Sequence, residues 1–179
     1  MGIKIGELFR WEKVSFSDLK DRVIAIDAYN VLYQFLASIR QRDGTPLKNS
    51  SGEITSHLSG LFQRTANMVE SGIRPVYVFD GKPNKLKAKT LKEREKRKIQ
   101  AEKDYKKAIE EGDLKKAKSK AQQTSRLTDK MVSQSKDLLS ALGIPFIQAP
   151  GEGEAQASYI VKNEDAYAVG SQDFDCLSV

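Results

Sequence analysis

The chain has 179 residues, 39% of them apolar and 30% charged, with a net charge of +6; that is about one domain of sequence with enough apolar content for a core. One cysteine, Cys176, excludes an internal disulfide, and one histidine, His57, leaves no zinc cluster and no Ser–His catalytic pair. No stretch approaches the ~20 apolar residues of a membrane span, and the start, MGIKIGELF, lacks the apolar core of a signal peptide and carries Gly6 where myristoylation needs Ser or Thr.

RVIAID (22–27) is a short β-branched run and predicts a buried strand ending at Asp27. YNVLYQFLASIRQ (29–41) has apolar residues at helical spacing and stops before the turn signal Asp43-Gly44. Thr55 or Ser56 caps a second helix, roughly 56–71, closed by Gly72 and facing inward through Leu58, Leu61, Phe62 and Met68. His57 reads as an ordinary helix-start or surface histidine. RPVYVFDG (74–81) predicts the next strand, with Asp80 at its end. Residues 84–130 are rich in Lys, Glu, Ala and Gln and strongly helix-forming, with little to bury; EEGD (110–113) divides them into two helices meeting at Gly112. MVSQSKDLLSALG (131–143) is an amphipathic helix stopped by Gly143, IPFIQAP (144–150) a strand, GEGEAQASYIVKN a helix from about Glu152, and AYAVGSQDFD a further strand with a tight turn. Alternation of strand and helix argues for a mostly parallel α/β sheet with crossover helices.

Charge is spread unevenly. Residues 82–130 hold 18 Lys/Arg and 8 Asp/Glu, a net of +10, and the remainder holds 12 and 16, a net of −4. A cationic segment on an acidic body suits a protein that grips a polyanion with one part and cations with another. The plainer reading of 84–130 is a solvated helical hairpin.

Asp27, Asp80 and Asp173 fall at strand ends, Asp175 lies two residues on, and Glu152 and Glu154 fall in the first turn of a helix. Ligands of doubly wound sheets collect at the carboxyl ends of the strands. Each acid has an ordinary reading as well: Asp27 as a helix cap, Asp80 as a turn residue in D-G-K-P, the glutamates as first-turn acids. Together they would repel one another unless cations neutralise them, and hard cations such as Mg²⁺ take oxygen ligands. No residue offers itself as a protein general base, so a water activated by cations is the expected nucleophile. Arg40, Arg64, Lys87 and Arg94 are the basic residues placed nearest that edge, the first two on the helices after Asp27 and before Asp80. Lys87 and Arg94 are seven apart, two helical turns on one face. Tyr33 could stack on a base, with core packing as its alternative.

The strings MGIKIGELF, AIDAYNVLYQFLASIRQ, DGTPL, GEITSHLSGLFQRTANMVESGIRPVYVFDGKP, LLSALGIPF, APGEGEAQASYIVK and GSQDFDCL, running through nearly the whole chain, resemble the flap endonuclease group of structure-specific 5′ nucleases of archaeal and eukaryotic type. The resemblance implies a PIN-like, Rossmann-like α/β core (about 1–83 and 131–179), with a helical arch at about 84–130 through which a 5′ single strand threads. It implies two Mg²⁺ or Mn²⁺ ions and cleavage of branched DNA at the junction of a 5′ flap, acting as endonuclease and 5′ exonuclease in Okazaki-fragment maturation and repair. On it, the metal carboxylates are Asp27, Asp80, Glu152, Glu154, Asp173 and Asp175. Lys87 and Arg94 are the phosphate binders at the arch base, Tyr33 the stacking tyrosine, Arg40 and Arg64 DNA-contacting arginines, and Gly2 the N-terminal glycine near substrate, although here Met1 precedes it. It also implies an intracellular setting, nucleoid or nuclear. The family runs on for roughly as much again, with a seventh metal-site aspartate, a helix–two-turn–helix that holds duplex with K⁺, and a sliding-clamp peptide. The chain therefore reads as a truncated N-terminal portion whose core is cut. Two other readings stand beside the enzyme: a non-catalytic DNA-binding fragment without a complete two-metal site, and a Rossmann-like hydrolase with Asp27 as nucleophile, disfavoured because D-A-Y-N supplies no second Asp two residues on.

Overall fold

The computed structural model describes residues 12–82 and 88–172; within these, the side chains of 88–92, 94, 114 and 118 are not described. Two compact units result. One comprises residues 1–31, 62–83 and 136–179, the other 32–61 and 84–135, so the division falls within three helices.

The first unit is built on four parallel strands: β1 (Val23–Asp27), β2 (Arg74–Phe79), β3 (Phe146–Gln148) and β4 (Ala168–Gly170), in the order β3-β2-β1-β4. This is the α/β sheet expected from the alternation of elements. The helices are α1 (Ala28–Ser38), α2 (Ser56–Glu70), α3 (Ala88–Glu110), α4 (Leu114–Gln123), α5 (Asp129–Ala141) and α6 (Gly153–Lys162). Successive residues of a strand point to opposite faces, and β1 and β2 use both. On one face Ala25 and Val78 join Ala149, Ala157, Ile160 and Ala166 in a buried cluster under α6. On the other, Tyr77 is fully buried and its hydroxyl meets Thr65 Oγ1 of α2 at 2.8 Å. A strand buried on both faces reads as a continuous apolar run, which is why VIAID and PVYVF were legible.

In the second unit, α1 buries Leu32, Phe35 and Leu36. Gly60 of α2 permits that packing, since a Cβ there would lie 2.3 Å from the Phe35 ring and 2.6 Å from Ile39 Cδ1. α3 and α4 pack against each other, joined through Gly112 at φ +72°. Small side chains allow this: Ala101, Ala108, Ala117 and Ala121 are all buried. The expected hairpin thus has a seam of its own. No helix among the described residues is long and apolar enough to cross a membrane.

Two expectations are corrected. Phe62 is 50% exposed, and α2 instead buries Ser56, His57, Leu61, Thr65 and Met68; the apolar stripe is rotated because two polar residues near the helix start turn inward. Ser56 Oγ donates to Ile39 O at 2.7 Å and accepts from Leu47 N at 2.9 Å. His57 stands at the start of α2, as one of its two readings had it, but it is completely buried instead of on the surface, and neither ring nitrogen completes a hydrogen bond among the described residues. Burial pushes its pKa below the ordinary 6.5, opposed in smaller measure by Gln134. The unfolded state therefore binds the extra proton first. Stability from this group is complete above about pH 6.5 and falls as pH drops from there toward the lowered folded value. His57→Leu is expected to flatten that fall, checked by comparing denaturant midpoints of both proteins at pH 7.5 and 5.5.

Candidate functional site

Because all four strands run parallel, their carboxyl ends share one edge, and Asp27 and Asp80 of the first unit stand there. Asp27 is the last residue of β1 and lies opposite Val78 of β2. It is only 4% exposed, and its Oδ1 accepts the Asn30 N–H at 3.0 Å, the position of a helix cap for α1. Asp80 follows β2 directly and is partly buried. Glu152 is the N-cap of α6 and Glu154 stands in its first turn, both partly buried, where the helix dipole favours negative charge. Asp173 and Asp175 lie outside the described residues. Among the described residues, no three His, Cys, Asp or Glu side chains come close enough together to hold a metal ion.

The end of β2 is laced to the β3–α6 connection. Asp80 Oδ1 accepts the Gly153 N–H at 2.6 Å, Asp80 O accepts Gln148 Nε2 at 2.6 Å, Ala149 N donates to Phe79 O at 2.8 Å, and Gly81 N donates to Gly151 O. Lys136 Nζ of α5 completes the chain, donating to Gln148 Oε1 at 2.6 Å and lying 5.0 Å from the Phe79 ring centroid. Sequence reasoning missed Gln148, Gly81 and Gly153 as positioning residues. The signal was present in the glycines of VFDG and APGEGE: a glycine beside an acid marks a place where two backbones approach closely. At Gly153 a Cβ would stand 2.7 Å from Asp80 Oδ1. At Gly81 it would stand 2.3 Å from Ala149 O and 2.7 Å from the Pro150 carbonyl carbon. Backbone cannot step aside as a side chain can. Gly81→Ala is therefore expected to destabilise by about 1–3 kcal/mol, a fall of about 2–12 °C in thermal midpoint for a chain of this size, read by circular dichroism melts.

The basic and aromatic candidates divide between the units. Arg64 lies on α2 in the first unit, lining an apolar cleft of about 240 Å³ with Ile24, Ile26, Met68 and Ile73. Lys87 lies outside the described residues, as does Gly2; Arg94 lies within α3 and its side chain is not described. Arg40, expected on the helix after Asp27, lies beyond it: α1 ends at Ser38, and Arg40 pairs with Pro46 in an antiparallel bridge. Its guanidinium donates to Leu36 O, Gly44 O and Ser125 Oγ at 2.9, 2.8 and 2.9 Å. Tyr33, on α1, is 39% exposed and has Lys98 Nζ 5.2 Å from its ring centroid. It lines a cleft of about 740 Å³ in the second unit with Arg97, Lys98 and Arg126.

Residues 3–101 match the XPG N-terminal domain and residues 143–178 the XPG I-region. The chain is 58% identical to Flap endonuclease 1 of Thermofilum pendens, over 99% of its own length and 52% of the relative's. It is 53% identical to Flap endonuclease 1 of Aeropyrum pernix, over 99% and 51%. Among solved structures it is similar to flap endonuclease-1 from Methanococcus jannaschii, with a TM-score of 0.73, 50% identity and coverage of 98% of this chain and 56% of that one. It is also similar to the catalytic core of Rad2 in complex with DNA substrate, with a TM-score of 0.65, 30% identity and coverage of 92% and 43%. The chain spans about half the length of the curated relatives it matches.

Proposed function

This chain belongs to the XPG family, and from that premise we propose that it is the catalytic N-terminal portion of a divalent-metal-dependent nuclease that cuts DNA at the junction of a 5′ flap, with 5′ exonuclease activity. What supports the reading is the position of Asp27 and Asp80 at the ends of β1 and β2 and of Glu152 and Glu154 at the start of α6, in a chain 50% or more identical to flap endonucleases along nearly its whole length.

The donor set fits the cofactor by its chemistry. Every candidate ligand is a carboxylate oxygen, which suits Mg²⁺ or Mn²⁺ and not a soft metal. Asp27, Asp80, Glu152 and Glu154, with Asp173 and Asp175, would hold two such ions. When bound, the ions would neutralise the phosphodiester and the charge developing on it. The protein's part is positioning. Gly153 N–H holds the side chain of Asp80 and Gln148 Nε2 its backbone carbonyl, and Asn30 N–H holds the nearly buried Asp27. Carboxylates held this way need no reorganisation when substrate arrives.

In the same reading Lys87 and Arg94 hold the phosphate that is cut. Tyr33 stacks a base, Arg40 and Arg64 contact the DNA backbone, and Gly2 lies near substrate. Arg40 would have to exchange one of its three internal acceptors for a phosphate. The basic hairpin of the second unit, residues 84–130, grips the displaced strand. We place the protein with the chromosome, in replication and repair; contact with a sliding clamp is proposed on the family resemblance alone.

The test is cleavage of an end-labelled double-flap DNA by this 179-residue chain in Mg²⁺, with EDTA as control. Junction cleavage that requires the ion supports the reading. Strand binding that falls steeply with salt, without cleavage, favours the alternative of a DNA-gripping part that lacks a complete two-metal site.

A further inference from the structure

The cleft of the second unit, whose Tyr33 the cleavage reading assigns to base stacking, also holds an ion-pair arrangement that reading does not use. Its lining includes Tyr33, Arg97, Lys98, Arg126 and Glu95. Arg126 lies in the stretch between α4 and α5, and its Nη2 is shared between two carboxylates of α3: Glu95 Oε1 at 2.9 Å and Glu102 Oε1 at 3.1 Å. Glu95 and Glu102 are seven apart, so two turns of α3 bring them to one face. An opening lined by three cations and an aromatic ring suits single-stranded nucleic acid, whose bases stack and whose phosphates need cations. Yet one of those cations is already held by two anions of the protein.

The strength of that hold decides what it is for. The three side chains are 46%, 48% and 43% exposed. Ion pairs this wet contribute little to stability, too little for a structural bolt. A phosphate offers the guanidinium a planar, two-point contact that is stronger and more directional. We propose that Glu95 and Glu102 are built-in competitors for a single-stranded nucleic-acid phosphate: they hold Arg126 at the cleft, and an entering strand takes it from them. They act through Arg126 and touch no reacting atom, so they are positioning residues. Their effect is discrimination. A weak or passing anion does not repay the two lost pairs, whereas a strand that also engages Tyr33, Arg97 and Lys98 does. The inference rests on the reading of this unit as the strand-gripping part, but it needs no metal and no cleavage.

The experiment is equilibrium binding of a labelled oligothymidylate, in EDTA, across a range of NaCl concentrations. It uses the wild-type chain, E95Q/E102Q, R126Q and the triple variant, with thermal melts to confirm that all four are folded. E95Q/E102Q is expected to bind about threefold to tenfold more tightly at low salt, as two exposed ion pairs allow, and the gain is expected to vanish in the triple variant, which should bind like R126Q. A gain that persists without Arg126 would be the general effect of removing negative charge and overturns the proposal, as does no gain at all. Wild-type binding without a glutamine effect overturns this inference and leaves the nuclease reading standing. No strand binding by any of the four overturns both.

Discussion

Asp80→Asn is expected to lower Mg²⁺-dependent cleavage of a double-flap DNA by about 10²–10³-fold, the size of losing one preorganised electrostatic group at a transition state, with little change in thermal midpoint. The geometry separates the two effects. Asp80 Oδ1 accepts the Gly153 N–H, and asparagine keeps an oxygen for that bond while giving up the charge that would hold a cation. Asp80→Ala removes both. It is expected to lose cleavage equally and also to melt earlier, because the Gly153 N–H is left without its acceptor at a cost of about 1 kcal/mol. DNA binding by the asparagine variant should be equal to wild type or tighter, since a negative charge facing a polyanion is gone. Single-turnover cleavage and thermal melts of the two variants, side by side, make the comparison. Cleavage by Asp80→Asn at the wild-type rate would remove this carboxylate from the cation site.

Neutralising Lys87 and Arg94 together is expected to slow single-turnover cleavage by about 10²-fold or more while weakening binding of the same flap only severalfold. The expectation rests on the proposed reading of the pair, which stand seven residues apart in the sequence. Two cations held to one phosphate contribute most when charge builds on it in the transition state, whereas backbone contacts elsewhere contribute equally before and during reaction. If the rate at saturating enzyme were unchanged and only affinity fell, the pair would be general phosphate contacts.

Much of the fold was legible because it is written in local interactions. Helices α2, α3 and α5 are each followed by a glycine, Gly72, Gly112 or Gly143, with φ between +69° and +81°, the conformation that only glycine adopts without cost. Both central strands announced themselves by continuous apolar runs. The acidic candidates were legible one at a time, as residues that follow such runs or open a helix. Where the reading failed, the reason was distance along the chain. Arg40 looked helical, but its side chain is held by Ser125, 85 residues away. Phe62 fitted the apolar stripe of α2, yet Ser56 and His57 turn inward instead, because Ser56 ties the helix start to Ile39 and Leu47.

Read alone, the sequence already marks the central strands, the glycines at which helices stop, a basic helical pair that the structure places at α3 and α4, and the residue types available for chemistry. These follow from turn chemistry, from side-chain alternation and from contacts three or four residues apart. Which of those residues meet depends on packing between elements far apart in the chain. Parallel pairing of β1 with β2, in the register Val23 with Arg74 through Asp27 with Val78, sets Asp27 and Asp80 at the ends of neighbouring strands. The close approach at Gly81 and Gly153 then draws Glu152 and Glu154 toward the same edge. In the second unit, packing of α3 against α4 brings Arg126 back to Glu95 and Glu102. Such pairings join residues tens of positions apart, and they exist because burying two faces of a sheet and a seam of alanines outweighs the entropy of closing those loops.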